Sequence, residues 1–319
     1  MKKRTLILCG LLLSISLLAG CQKQEEAVAD QTQDISDISA DEVHEEDGQV
    51  SDTDTVSDDT EAAETEESET SDEESGAKAV SLEISFEKET GEMKSDDGSV
   101  SYLKYEFNMP KVTSTDNPEA AGQINSYFAQ QKEALLSDCN EYYEWAKEDY
   151  QTRLDIAQED GTEEPTEADF GYYSSTDYTV TRQDDTVISF REMSTTYTGG
   201  AHGSNIVAGV TFDAKTGQRI QLADLMEDEE DGKAQIDQLL LEKAQEMQEK
   251  SIQKDGYGIF FEEYENYIPD VLTEDSWYLT EDGMTIVSNE YLLAPYAAGA
   301  TYFDLPYETC DFIKEVYRK

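Results

Sequence analysis

Histidine is scarce in this sequence, and this limits the chemistry that its side chains can perform. Only His44 and His202 are present in 319 residues. His202 lies two residues before Ser204, but a Ser–His pair without an orienting carboxylate is a weak basis for nucleophilic catalysis. We therefore expect His202 to hydrogen-bond the backbone of its loop and fix the loop's shape. With 73 acidic residues, close carboxylate pairs arise by chance and identify no acid–base catalyst.

One acidic stretch resembles a metal-binding loop only superficially. Glu227, Glu229, Asp231 and Gly232 follow the spacing of a calcium-binding loop. However, the twelfth position is Gln238, where such a loop needs a bidentate glutamate. No spacing of Cys and His typical of a zinc site occurs either. We expect no metal, no cofactor and no catalytic residue.

The N-terminal residues predict export and lipid attachment. Lys2, Lys3 and Arg4 precede the apolar stretch 6–19, which is shorter than the ~20 residues that a membrane-spanning helix needs. The stretch ends in Leu-Ala-Gly-Cys, which resembles the lipobox of bacterial lipoproteins. That resemblance implies cleavage of the signal peptide 1–20 and a lipid on Cys21, which would anchor the chain at the extracytoplasmic face of the membrane. An ordinary secretory signal with a chance cysteine is the alternative.

Residues 21–78 are predicted to form a disordered acidic tether. Residues 22–76 contain 22 Asp or Glu, one basic residue (Lys23) and no aromatic residue. Such a composition buries too little apolar surface to fold. The segment would hold a domain away from the membrane, or serve only as a solubilising tail.

The folded remainder is also strongly acidic. Residues 77–319 contain 51 acidic and 19 basic residues, a formal charge near −32. This balance argues against nucleic-acid binding, which needs a basic face, and favours cationic partners. Cys139 and Cys310 are the two cysteines left. In an exported chain they form either a disulfide or two unpaired thiols.

Hydrophobic periodicity predicts an α+β fold built on antiparallel sheet. Apolar alternation from Val80 and again over 103–109 indicates a β-hairpin. A cap at Asn117 and Pro118 begins a long amphipathic helix that reaches about Leu154. The later predicted elements are strands around the Asp184-Asp185 turn, a strand over 206–212 that resumes at 220–222, a helix over about 232–250, a hairpin over 277–286 and a short C-terminal helix over 306–317.

A glycine-rich motif stands out from these elements. It reads Tyr197-Thr198-Gly199-Gly200-Ala201-His202-Gly203. Three glycines permit positive φ and close backbone approach, so the motif predicts a tight, specially shaped turn. It lacks the lysine and the strand–loop–helix context of a phosphate-binding loop.

This motif belongs to an ordered series that resembles one family of extracellular domains. The series continues through 212–217, 222–225, 279–284, 293–299 and 303–307. Such domains form the outer part of RsiV-type anti-sigma factors and the region ahead of the catalytic domain in PdaC-type peptidoglycan deacetylases. The resemblance covers roughly residues 80–315. It implies two packed α+β subdomains, a PdaC-like one over 79–195 and an RsiV-like one over 196–319.

The resemblance also implies a function, since RsiV-type proteins bind lysozyme through this region. This sequence has no sigma-binding segment and no deacetylase domain, so signalling and deacetylation are not carried over. We expect a non-enzymatic, lipid-anchored binding module at the cell envelope, whose ligand is lysozyme, another cationic protein or peptidoglycan. The alternative is a carboxylate-based hydrolase that acts on the envelope.

Overall fold

The computed structural model describes residues 82–166 and 171–318. The predicted signal peptide, Cys21, the tether and Val80 lie outside these residues. Within them, no helix is both long enough and apolar enough to cross a membrane.

The first of two sheets has five strands in chain order. They are β1 (Glu83–Lys94), β2 (Ser101–Thr113), β3 (Tyr172–Gln183), β4 (Val187–Tyr197) and β5 (Ser204–Asp213). β2 and β3 run parallel and the other neighbours antiparallel. A parallel pair needs a long crossover, and a helix supplies it here. The predicted antiparallel sheet is therefore mixed.

That crossover is the long helix α1 (Pro118–Asp160), which the sequence predicted. The side chain of Asn117 accepts a hydrogen bond from the N–H of Ala120, and Pro118 occupies the first turn, where it needs no donor. Gly161, with φ of 66°, ends the helix. Apolar residues of α1 pack on one face of the sheet, and Phe128 lies 5.1 Å from both Tyr178 and Phe190 between ring centroids.

The second sheet is smaller and packs with two helices around its own core. It consists of β6 (Trp277–Leu279), β7 (Gly283–Ser288) and β8 (Thr301–Pro306), all antiparallel. The helices are α2 (Leu222–Leu225) and α3 (Glu229–Asp255). Asp228 caps α3, so the stretch that resembled a calcium loop is a helix start, where acidic residues complement the helix dipole.

The two layers meet where β6 crosses β5 at Gly209. The N–H of Gly209 donates to the carbonyl of Asp275 at 2.8 Å. A Cβ at this position would overlap the carbonyl oxygen of Trp277. Nearby, the N–H of Leu279 donates to the buried hydroxyl of Ser189 at 2.9 Å. Glycine is therefore required for the backbones of the two sheets to approach this closely.

Two predicted elements are wrong, one near the C-terminus and one after β5. The segment 306–317 is not one helix: β8 ends at Pro306, and two short 3₁₀ helices follow, Tyr307–Thr309 and Glu315–Tyr317. Only Pro306 of this segment pairs with β7, whereas Phe312, Ile313 and Lys314 make backbone contacts with the end of α2 and the residues after it, and these contacts override the helical periodicity. The strand predicted over 220–222 is also absent, since Leu222 begins α2.

Cys139 and Cys310 are free thiols, so the disulfide that the sequence permitted is not formed. The physical reason is their placement in different cores. Cys139 lies between α1 and the first sheet, whereas Cys310 is buried in the core of the second sheet. Burial raises the pKa of each thiol to about 11, which keeps both unreactive.

The predicted boundary between the PdaC-like and RsiV-like subdomains, after residue 195, stays a prediction. In the structure β4 runs through this position, and β5 extends the same sheet. The second sheet begins only at Trp277.

Candidate functional site

The glycine-rich motif forms the loop between β4 and β5. Gly199 and Gly200 have φ of 89° and 86°, a left-handed conformation that other residues rarely adopt. A Cβ on Gly203 would lie 2.7 Å from the carbonyl oxygen of Thr196. The hydroxyl of Tyr197 donates to the carbonyl of Gly200 at 3.0 Å. The predicted tight turn is therefore confirmed, together with the reason for its glycines.

Both ring nitrogens of His202 are engaged within this region. Nδ1 lies 2.8 Å from the carbonyl oxygen of Gly203, which can only accept a hydrogen bond, so Nδ1 carries the proton. Nε2 then accepts a hydrogen bond from the hydroxyl of Tyr291 at 3.0 Å. The predicted role of His202 in fixing the loop is confirmed. With both nitrogens occupied, His202 is not poised to activate Ser204.

A second loop, between β7 and β8, meets the glycine-rich loop at His202. The imidazole stacks on Tyr296, with ring centroids 3.8 Å apart and planes inclined by 17°. Tyr291 has φ of 67°, which is unusual for a residue other than glycine. Tyr296 lies in the family series but has no role that the sequence predicts, and no sequence pattern points to Tyr291. Both lie about 90 residues from His202, and periodicity carries no signal for such a contact.

Side-chain hydrogen bonds hold this second loop against the edge of β5. The amide of Asn289 both accepts from the N–H of Val207, at 2.8 Å, and donates to its carbonyl, at 2.9 Å. The carboxylate of Glu290 accepts from the backbone N–H and the side-chain amide of Asn205 at 3.2 and 3.1 Å. The positions of the aromatic rings are therefore set by fixed backbone rather than by a loose loop.

Further aromatic rings lie on the other side of the glycine-rich loop. Tyr197 stacks with Tyr173, with centroids 6.1 Å apart. Tyr173 is 41% exposed and Tyr291 is 57% exposed. We call Tyr173, Tyr197, His202, Tyr291 and Tyr296 the aromatic loop cluster. Exposed tyrosines on a rigid scaffold offer large contact area at a low cost in conformational entropy.

An open cavity of about 520 Å³ adjoins this cluster at Tyr173. Charged side chains of β1 and β2, namely Glu92, Lys104 and Glu106, contribute to its lining. A hydrogen bond from Lys94 is the main reason that the pKa of Glu92 lies below its ordinary value. A lowered pKa favours the ionised form of Glu92, whereas the general acid of a hydrolase needs a raised pKa.

The carboxyl groups whose pKa is raised lie elsewhere. Burial raises the pKa of Asp138 on α1 and of Asp237 on α3. Neither residue lines the cavity beside Tyr173. Over residues 82–166 and 171–318, no group of three or more His, Cys, Asp or Glu side chains is placed to hold a metal ion.

Comparison with known proteins identifies two regions in the chain. Residues 97–205 match the family model described as deacetylase PdaC, and residues 223–308 match the model described as a protein of unknown function, DUF3298. No curated protein matches the chain. The glycine-rich loop falls in the first match, whereas Tyr291 and Tyr296 fall in the second, so the aromatic loop cluster is assembled from both.

Solved structures of the DUF3298 family have a similar fold. A Bacteroides fragilis member is 19% identical, with a TM-score of 0.54, and the match covers 74% of this chain and 95% of that one. A Pseudomonas aeruginosa member is 16% identical, with a TM-score of 0.48, and the match covers 75% and 98%. The matches to the two family models confirm the resemblance that the sequence motifs indicated. Residues 97–205 are thus similar to the PdaC model, and residues 223–308 are similar to the model of DUF3298, a family of unknown function.

Proposed function

We propose that this protein is a binding module held at the outer face of the cell membrane by a lipid on Cys21. Its ligand is a cationic protein such as lysozyme, and the aromatic loop cluster is the contact surface. The observation that carries the proposal is the exposure of Tyr173 on β3 and of Tyr291 on a loop that hydrogen bonds fix to the scaffold. Tyrosine is enriched among the residues that dominate the binding energy of protein interfaces.

Charge supports the choice of a cationic ligand. The folded part carries a formal charge near −32 from 51 acidic and 19 basic residues. A field of this sign accelerates encounter with a basic protein, but it discriminates poorly among basic proteins. Discrimination would come from the aromatic rings, since burial of their faces is insensitive to salt.

The arrangement of carboxyl groups favours binding over hydrolysis. A hydrolase with two carboxyl groups needs one with a raised pKa close to an ionised one, in the same cleft. Here Asp138 and Asp237 lie on different helices, and the pKa of Glu92 beside the cavity is lowered. A wall polymer is a second ligand class, since the cavity at Tyr173 is open and combines a tyrosine with charged groups.

Substitutions in the cluster test the proposed surface. Tyr173→Ala and Tyr296→Ala should each weaken binding to a basic lysozyme by about tenfold, the loss typical of a contact residue that contributes ~1.4 kcal/mol. Tyr267→Ala is the matched control, because Tyr267 is also exposed but belongs to the segment after α3. Calorimetry of the full chain measures each affinity, and a thermal melt checks folding.

Unchanged affinity in both cluster variants would contradict this surface. Loss of retention on purified peptidoglycan, with no effect on lysozyme, would instead identify the wall polymer as the ligand.

Lipid attachment predicts the location of the protein. Cys21→Ala removes the thiol that would carry the lipid, so the variant should be released from the membrane fraction. Cys139→Ala is the control, because that thiol is buried and should not affect location. Fractionation with mass spectrometry of the N-terminal peptide measures the effect. A Cys21→Ala protein that remains processed and lipidated in the membrane would refute the anchor.

A further inference from the structure

A second cavity, of about 370 Å³, lies between the turn that joins β1 to β2 and the middle of α1. No residue of the aromatic loop cluster lines it. Its volume is near the lower end of the range for small-molecule sites, about 300–1,000 Å³. The proposed function leaves this cavity unexplained.

Three tyrosines wall the cavity. Tyr102 is buried, and its ring packs edge-on against Tyr143 and Tyr150, with centroids 5.5 and 5.7 Å apart and interplanar angles of 75° and 69°. Rings at such steep angles to one another can each turn a face toward the space between them, as adjacent walls of a box do. The face of an aromatic ring attracts a cation because of the ring's quadrupole.

Acidic side chains complete the wall from the β1–β2 turn. The carboxylate of Asp97 accepts hydrogen bonds from the hydroxyls of Ser99 and Ser95 at 2.6 and 2.7 Å, and from the N–H of Ser99 at 3.0 Å. These bonds, with that of the Ser99 hydroxyl foremost, lower the pKa of Asp97 to about 2. The carboxylate is thus ionised at any pH that an envelope protein meets. Asp96 lies beside it in the same lining.

One cation of the protein already uses this wall. The Nζ atom of Lys147 lies 5.9 Å from the centroid of Tyr143. Its ion pair with Glu144 is long, at 3.9 Å, and its side chain is 54% exposed. A lysine held this weakly can swing into solvent and leave the ring to another cation.

We infer that this cavity binds an organic ammonium group, held by the faces of Tyr102, Tyr143 and Tyr150 and by the charge of Asp96 and Asp97. The group would belong to a small quaternary ammonium compound or to the lysine side chain of a larger ligand. This site is separate from the aromatic loop cluster, and it does not depend on the proposed function.

Calorimetric titration of the full chain, purified in a non-ionic detergent, tests the inference at constant ionic strength. The probes are choline, its neutral isostere 3,3-dimethyl-1-butanol, and Nα-acetyl-lysine amide. Choline or the lysine amide should bind measurably and the neutral isostere should not. The tighter of the two cations identifies the source of the ammonium group.

Variants that should weaken or strengthen cation binding make the test more specific. Tyr143→Leu removes a ring and should weaken cation binding about fivefold, whereas Tyr143→Phe keeps the ring and should bind normally. Asp96→Asn removes one charge and should also weaken binding. Lys147→Met removes the competing cation and should strengthen binding about fivefold. A thermal melt confirms that each variant is folded.

Three results would overturn the inference. The first is no binding of either cation at ~50 mM, where even a weak site of ~4 kcal/mol would be occupied. The second is equal binding of choline and its neutral isostere, which would show an apolar cavity without cation recognition. The third is a folded Lys147→Met variant that binds the cation no more tightly than the native chain.

Discussion

Replacing Arg182 by methionine should lower the free energy of unfolding by about 3–5 kcal/mol, because it leaves a buried ionic network without its cation. The Arg182 side chain is only 2% exposed. Its Nη1 donates to the hydroxyl of Tyr307 and to the carbonyl of Tyr317, both at 2.6 Å, and its Nε donates to Asp184 at 2.7 Å. One side chain thus ties the end of β3 to the C-terminal segment.

Urea unfolding measured by circular dichroism checks this effect, with Arg153→Met as the control. Arg153 pairs with Asp149 one turn away on the exposed surface of α1, where such a pair contributes only about 0.3–0.5 kcal/mol. If Arg182→Met and Arg153→Met lose similar, small amounts of stability, the network around Arg182 does not hold the end of β3 to the C-terminal segment.

Asp184 determines how the stability difference between the native chain and Arg182→Met depends on pH. Burial tends to raise the pKa of Asp184, but hydrogen bonds from the N–H groups of Val187 and Thr186 and from Arg182 outweigh it and lower the pKa. A lowered pKa in the folded state means that ionised Asp184 stabilises the fold above its unfolded pKa, and that this stability is lost as pH falls through the folded pKa. The stability gap between the native chain and Arg182→Met should therefore narrow in acid.

The substitution Gly209→Ala should destabilise the protein by about 3 kcal/mol or more, since the added methyl group overlaps backbone that cannot easily move. The Cβ would overlap the carbonyl oxygen of Trp277, next to the hydrogen bond from Gly209 to Asp275. Relief requires β6 to separate from β5, and this would break the contact between the two sheets. The same substitution should reduce the intensity of near-ultraviolet circular dichroism from Trp277.

Gly122→Ala is the matched control for this prediction. Gly122 lies in α1 with open space around it, so a methyl group there meets no atom. Alanine should stabilise this helix by up to about 1 kcal/mol. Opposite signs for the two substitutions are the expected result, and equal small effects would show that the two sheets are not in close contact at Gly209.

Elements with local signals were predictable from the sequence. Asn117, Pro118 and the apolar spacing after them determine the start of α1 through interactions within the helix itself. The turn at Asp184 was also found, because its carboxylate accepts from Thr186 and Val187 only two and three residues away. In each case the residues that specify the structure are close in the chain.

Elements determined by distant contacts were not predictable in the same way. The C-terminal segment has helical periodicity, but its backbone contacts the chain around Met226, some 87 residues before Ile313. Ile206 and Phe86 continue an alternating apolar pattern, yet they are 45% and 39% exposed, because the pattern does not reveal where the packing layer ends. Hydrophobic periodicity shows to which side of an element a side chain points, but it does not show whether another element packs there.

The candidate site was predicted in part. The motif at 197–203 identified the glycine-rich loop and the bond from His202 to its backbone. The tyrosines that complete the cluster come from a loop some 90 residues later, and Tyr173 comes from a strand before the motif. Arg182 gave no signal at all, because a single arginine among polar strand residues looks like a surface residue.

The most direct test of the proposed binding function is calorimetry of the full chain against a basic lysozyme and against an unrelated protein of equal positive charge. Each titration is carried out at low salt and at ~0.5 M salt. The Debye length is ~8 Å at physiological ionic strength and shorter at ~0.5 M salt, so charge–charge attraction is screened more strongly there. We predict that lysozyme binding survives at high salt and is tighter than binding of the charge-matched protein. The reason is that tyrosines buried in the interface with lysozyme contribute binding energy that salt does not screen. Equal affinities that vanish together at high salt would contradict a specific binding module and leave only the attraction of an acidic surface.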